Sequence, residues 1–127
     1  MQIQMGGSPT PPWNPNTILI VDDDTDMRES LRDVLGAEGY SVVQAANGKL
    51  ALALLPGLKR PCGIILDITM PVMNGTEFYQ AMRALPESVD IPVVFLTSDT
   101  SRAPTGLPMM QKTISLDRLL SKVAALF

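Results

Sequence analysis

The chain of 127 residues contains no histidine. That absence excludes serine–histidine–aspartate hydrolysis, the common histidine zinc sites and any phosphohistidine carried on this polypeptide. A single cysteine, Cys62, rules out an internal disulfide, and its place just before an apolar run reads as a small residue at the core edge. No apolar run approaches the roughly 18 to 20 residues that cross a bilayer. With neither a span nor a disulfide, the chain is expected to work in the cytoplasm, away from membranes. Ten basic residues are scattered along a chain of net charge −3, so the basic patch of a nucleic-acid binder is missing and no nucleic-acid contact by this chain is expected. Carboxylates, hydroxyls and lysines are left to carry any chemistry.

The length suits one domain with a real core. Residues 1–16, MQIQMGGSPTPPWNPN, are rich in Gly, Pro and Asn without a usable period and read as a flexible N-terminal tail or linker. From residue 17 to 127, short apolar runs alternate with amphipathic stretches, as in βαβ units around a parallel sheet. Strands are expected at 17–21, 41–45, 63–67, 91–97 and 109–111. Helices are expected at about 26–38, with Asp26 and Glu29 as a capping box, at about 49–55 after an Asn47-Gly48 turn, at about 75–85 and at 115–126. The last would turn Leu116, Leu119, Leu120 and Val123 to one face. Between the fourth and fifth strands, Pro104 and Gly106 leave room for a short helix at most.

The stretch ILIVDDDTD at residues 18–26 runs a buried strand straight into four aspartates. Carboxylates this crowded repel unless a cation or hydrogen-bond donors compensate. A metal site, a calcium loop and a crowded acidic helix start all compete. The calcium loop fails: its sixth position is Met27 in place of Gly, its twelfth is Asp33 in place of Glu, and a strand precedes it. Asp24 and Asp26 suit the start of a helix, as cap and as charge on its dipole. In an open parallel sheet, functional groups gather at the carboxyl ends of the strands. Here the first strand ends in Asp22 and Asp23, the third in Asp67 and the fourth in Thr97, and Lys112 follows the fifth. Three carboxylates on one rim suit Mg²⁺. With the cation bound, one carboxylate could serve as nucleophile toward an activated phosphoryl group, with Thr97 and Lys112 meeting its oxygens.

ILIVDDDTD, GIILDITMPVMNG, PVVFLTS and MMQK together resemble the receiver domain of two-component response regulators over roughly residues 17–126. The segment from Asp67 to Gly75 is the most specific piece, similar to the family's D-x-x-M-P-x-M-[DN]-G. The resemblance implies a doubly wound five-stranded parallel sheet of order 2-1-3-4-5, a flavodoxin-like fold with a shortened or irregular fourth helix. It implies Asp67 as phosphoacceptor and Asp22, Asp23, Asp67 and the Thr69 backbone carbonyl as Mg²⁺ ligands. Thr97 would be the switch hydroxyl, Lys112 would bind the phosphoryl group, and Thr69 and Asp99 would tune hydrolysis. Pro71 and Gly75 would shape the backbone of the loop. The donor would be a histidine kinase or a histidine phosphotransfer protein, and a downstream protein would read the switch.

The sequence departs from the family on one side. The interval between Thr97 and Lys112 is shortened, Met109 stands where many receivers carry a switch Tyr or Phe, and Thr113 replaces the usual proline. A cis bond before Thr113 would cost about 2.5 to 4 kcal/mol. Two other readings compete: a receiver-like module that takes no phosphoryl group, and a haloacid-dehalogenase-like phosphatase with an aspartyl nucleophile. The phosphatase would need an aspartate two residues after its nucleophile, where this chain has Thr69.

Overall fold

The computed structural model describes residues 14–127. Five strands form one sheet: β1 (Asn14–Val21), β2 (Ser41–Ala45), β3 (Pro61–Asp67), β4 (Val93–Thr97) and β5 (Met109–Gln111). Four helices, α1 (Thr25–Ala37), α2 (Gly48–Leu54), α3 (Gly75–Arg83) and α4 (Leu116–Leu126), cover its two faces. All pairs are parallel and the spatial order is β2-β1-β3-β4-β5. The register sets Thr17 beside Ser41, Ile18 beside Gly63 and Ile64 beside Val93. Among the described residues no helix is long and apolar enough to cross a membrane.

Side chains alternate across a strand, and the two apolar clusters follow that period. Leu19, Val21, Ile64, Leu66, Val93 and Phe95 face α2 and α3, where Ala51, Phe78 and Met82 meet them. Ile18, Ile20, Ile65, Val94, Leu96 and Met110 face α1 and α4 and pack with Leu31, Leu35, Leu119 and Val123. Every residue of β3 is buried, as expected of a central strand covered on both faces. Cys62 belongs to the second cluster, and burial pushes its thiol pKa up.

Several local expectations need correction. β1 starts at Asn14, inside the stretch expected as tail, and a pairing of Asn14 with Pro61 precedes a register shift before Ile18. The rest of that stretch, residues 1–13, lies outside the described residues. Asp24 caps α1, as expected for this helix start, accepting from the Met27 N–H at 3.2 Å, so the box expected from Asp26 to Glu29 is not the cap. Asp26 sits in the first turn, facing the positive end of the helix dipole. A capping box forms in α3 instead, between Asn74 and Glu77. Asn47 is a helix cap, accepting from Leu50 N–H at 2.9 Å, and Gly48 opens α2. A Cβ at Gly48 would lie 2.8 Å from Met73 Cγ, so any larger residue there would force Met73 to shift. At the start of α4, Leu116 is 55 % exposed and leaves the face formed by Leu119 and Val123.

Between β4 and β5 the chain makes only a three-residue 3-10 turn, Thr100–Arg102. Asp99 organises it by accepting from Ser101 N–H at 3.1 Å and Ser101 Oγ at 2.6 Å. Pro104 and Gly106, the latter with φ of 84°, then bar helix propagation. Ala103 and Leu107 pack onto the α2/α3-side cluster, so a loop covers part of the sheet that a helix would otherwise cover. No cis peptide bond occurs among the described residues, including that before Thr113.

Candidate functional site

The strand order reverses at β1, whose neighbours β2 and β3 lie on opposite sides, and this topological switch point opens a crevice at the carboxyl ends of β1 and β3. Asp22 and Asp23 follow β1, and Asp67 is the last residue of β3. Their carboxylates offer oxygens that all lie within 4.8 Å of one another. Asp22 and Asp67 are buried at 1 % and 4 % exposure, whereas Asp23 is exposed. The site is therefore a pit with one open wall.

Lys112 comes from the turn after β5. Its backbone N–H bonds Thr97 O at 2.9 Å, which extends the β4–β5 pairing by one step and brings the side chain over the pit. The ammonium lies 3.0 Å from Asp22 Oδ2 and 3.4 Å from Asp67 Oδ2. The ammonium thus pairs with the two buried carboxylates. Burial raises the Asp67 pKa, the charge of Asp22 raises it further, and Lys112 and the Thr69 N–H only partly offset them, so it sits at about 6. For Lys112, burial pulls the pKa down, but contact with Asp22 and Asp67 outweighs it and the ammonium is held above the ordinary lysine range.

The donor set fits a hard divalent cation. Asp22 Oδ1 accepts from the Asp24 N–H at 2.9 Å. Asp22 Oδ2 is buried and, although close to the Lys112 charge, has no aligned hydrogen-bond donor among the described residues. The Lys112 ammonium at 3.0 Å offsets part of the burial of this oxygen, and a cation shared with Asp23 and Asp67 would offset more.

The loop after β3 is built around Gly75. Its N–H returns to Ile68 O at 2.8 Å, and a Cβ there would drive into the Asp67 carbonyl. Only glycine lets α3 start this close to the strand end. Within the loop, Val72 has φ of 70° and Met73 N–H bonds Pro71 O at 2.7 Å. Those two facts describe a positive-φ γ-turn, a strained form for a β-branched residue.

Of the sequence-predicted residues, the structure brings Asp22, Asp23, Asp67 and Lys112 into one site, with the backbone of Thr69 against Asp67. Thr97 is buried at the β4 end, but its hydroxyl is engaged locally: it accepts from Asp99 N–H at 3.1 Å and donates to Asp99 O at 3.2 Å. The Asp99 carboxylate is tied to Ser101, whose hydrogen bonds hold its pKa below the usual range. Sequence reasoning overlooked Arg28. Its guanidinium reaches the Asp22 carbonyl, Gln44 and Thr25, and an arginine on an exposed-looking helix turn gave no signal of contacts so distant in sequence.

The sequence profile of the response regulator receiver domain matches residues 18–124. The chain belongs to that family. The receiver is a signalling domain of two-component systems, and this receiver resembles the response regulator MprA of Mycolicibacterium vanbaalenii, with 37% identity over 119 residues covering 88% of this chain and 50% of that protein. The chain thus spans about half the length of the curated relatives it matches. Among solved structures, the chemotaxis protein CheY4 of Vibrio cholerae superposes with a TM-score of 0.81 at 29% identity, covering 90% of this chain and 100% of that one. The response regulator TrrA of Thermotoga maritima, solved in complex with Mg²⁺ and BeF, gives 0.79 at 30% identity, covering 88% and 99%. A receiver domain of a signal transduction histidine kinase from Syntrophus aciditrophicus gives 0.77 at 32%, covering 87% and 88%.

Proposed function

We propose that this receiver accepts a phosphoryl group on Asp67 in a Mg²⁺-dependent reaction, from a phosphohistidine on a kinase or phosphotransfer partner in the cytoplasm. The observation that carries the reading is the convergence of three carboxylates and one ammonium at the switch point, around a buried Asp67 whose charge is poorly compensated. Asp22, Asp23, Asp67 and the Thr69 backbone carbonyl would hold the cation. Mg²⁺ supplies charge neutralisation and a template for phosphoryl oxygens.

One Asp67 carboxylate oxygen attacks phosphorus while the phosphorus–nitrogen bond to the imidazole breaks, and the imidazole leaves with the electron pair. Lys112 already stands 3.4 Å from that carboxylate and pairs with a phosphoryl oxygen once negative charge arrives. The Thr97 hydroxyl leaves Asp99 and donates to another phosphoryl oxygen, and this exchange couples the chemistry to the β4–β5 segment. Water later attacks phosphorus as its bond to the Asp67 oxygen breaks, releasing inorganic phosphate and the free carboxylate, with Thr69 and Asp99 tuning its approach. Both a stand-alone regulator and a segment of a hybrid histidine kinase fit this chemistry.

The test is intact-mass and peptide analysis after incubation with Mg²⁺ and acetyl phosphate. A phosphoryl adduct on Asp67 that is absent in Asp67→Asn and in chelator supports the assignment. No adduct there would overturn it and favour the phosphorylation-silent module.

A further inference from the structure

We infer that Arg28 is a positioning residue that fixes Asp23 for cation binding, a role that rests on the Mg²⁺ reading above. Asp23 is the exposed member of the carboxylate cluster, and among the described residues no hydrogen bond holds its side chain. Its aim therefore depends on the backbone that carries it. That backbone begins at the carbonyl of Asp22, which shares one planar peptide unit with the Asp23 N–H. The carbonyl is held by Arg28 Nη1.

The clamp is backed on two sides. Arg28 Nε donates to Gln44 Oε1 at 3.1 Å, and Nη2 donates to Thr25 Oγ1 at 3.3 Å. Gln44 lies on β2 beside Ala45, whose carbonyl accepts the Asp22 N–H at 3.1 Å. Both polar groups of the Asp22 backbone are thus anchored, one by β2 and one by a guanidinium braced against β2. A planar fork with several donors can span carbonyl, amide and hydroxyl at once, which a lysine ammonium on a flexible stem does less well. Where β1 ends and the ladder no longer dictates direction, Arg28 extends that control by one peptide. Partners of this kind, one step behind the ligands, commonly matter about 10- to 100-fold for metal affinity.

Calorimetric titration of Mg²⁺ or Mn²⁺ into the whole chain tests the role, with thermal unfolding in chelator as a check on folding. Arg28→Ala is expected to bind about tenfold more weakly, and Arg28→Lys to recover part of the loss. Gln44→Ala, which loosens the clamp without touching α1, should weaken binding less than Arg28→Ala. In an Asp23→Asn background, Arg28→Ala should cause no additional loss, because the residue acts through Asp23. Equal affinity in Arg28→Ala and the parent chain would overturn the inference while leaving the Mg²⁺ reading intact. The same tenfold loss in both backgrounds would overturn it too, since a general effect on the fold does not need Asp23. A parent chain that binds neither cation would bring down the Mg²⁺ reading and this one with it.

Discussion

The two halves of the functional rim are built differently. At the β1 and β3 ends, the backbone is held closely: Asp22 is bonded through both its N–H and its C=O, and Gly75 is bonded to Ile68 directly behind Asp67. At the β4 and β5 ends, a three-residue turn and a loop stand where the family places a helix, and the Thr97 hydroxyl is occupied by its own loop. The three carboxylates of the candidate cation site sit on the first half. Thr97 and Lys112 sit on the second, where the Thr97 hydroxyl is held by side-chain-to-backbone bonds worth about 1 kcal/mol each. Within one domain, the carboxylate cluster and the Thr97 segment are therefore held by different kinds of contact.

The largest effect should follow from breaking the rigid half at its tightest contact. Gly75→Ala puts a Cβ into the Asp67 carbonyl, a backbone atom that cannot step aside without moving the strand end. The expected cost is about 3 kcal/mol, read as a lower midpoint in urea, together with reduced phosphoryl labelling of Asp67. An unchanged midpoint would mean that the loop after β3 is softer than this comparison requires.

Next comes the electrostatic strain of the same half. Asp67 binds its proton more tightly in the folded chain, at about 6 against 3.8 for an unstrained group. Between those values the folded state carries more protons than the unfolded one, so this contribution to stability falls as pH rises from about 4 to 6 and stays lost above. Asp67→Asn in chelator should accordingly be more stable than the parent at pH 7.5, by on the order of 2 to 3 kcal/mol, with the advantage shrinking below pH 6. Millimolar Mg²⁺ should close the gap by stabilising only the parent. Equal urea midpoints for the two chains in chelator at pH 7.5 would count against the strain.

Much of this arrangement was legible in the sequence because strand ends are legible. Apolar runs of four or five residues closing on Asp22, Asp67 and Thr97 fixed which groups share a rim, and the spans of β2 and β5 matched those read from the pattern. Helix starts were harder. With Asp22, Asp23, Asp24 and Asp26 in a row, composition alone does not say which side chain caps α1, because the choice depends on where β1 releases the backbone. Arg28 was not legible, since its contact with Gln44 crosses from α1 to β2. The Thr97 hydroxyl was assigned from its place at a strand end and from the family resemblance, but its resting partner depends on a loop conformation that no periodicity encodes.

A smaller effect should come from the γ-turn at Val72, which is 75 % exposed at a φ of 70°. Positive-φ strain in a β-branched residue costs on the order of 1 to 3 kcal/mol, and glycine returns part of that through unfolded-chain entropy. Val72→Gly should therefore stabilise by about 1 kcal/mol in thermal unfolding. A loss of stability instead would mean that the Val72 side chain makes a contact that outweighs its backbone strain.

The smallest effect on stability, and the most informative for the mobile half, is expected at Asp99. Its carboxylate is exposed and spends its hydrogen bonds on Ser101, so Asp99→Ala should lower the melting midpoint only slightly and leave Mg²⁺ affinity unchanged. The Asp99 backbone, however, holds the Thr97 hydroxyl from both sides. Loosening the turn that Asp99 organises should ease the release of Thr97 toward a phosphoryl oxygen, so the phosphoryl lifetime on Asp67 should change while the site's cation chemistry does not. Measuring dephosphorylation after rapid removal of acetyl phosphate separates these quantities. A lifetime identical to the parent's would show that the Thr97 release is governed by something other than the 3-10 turn, and the division between a rigid chemical half and a mobile readout half would lose its main support.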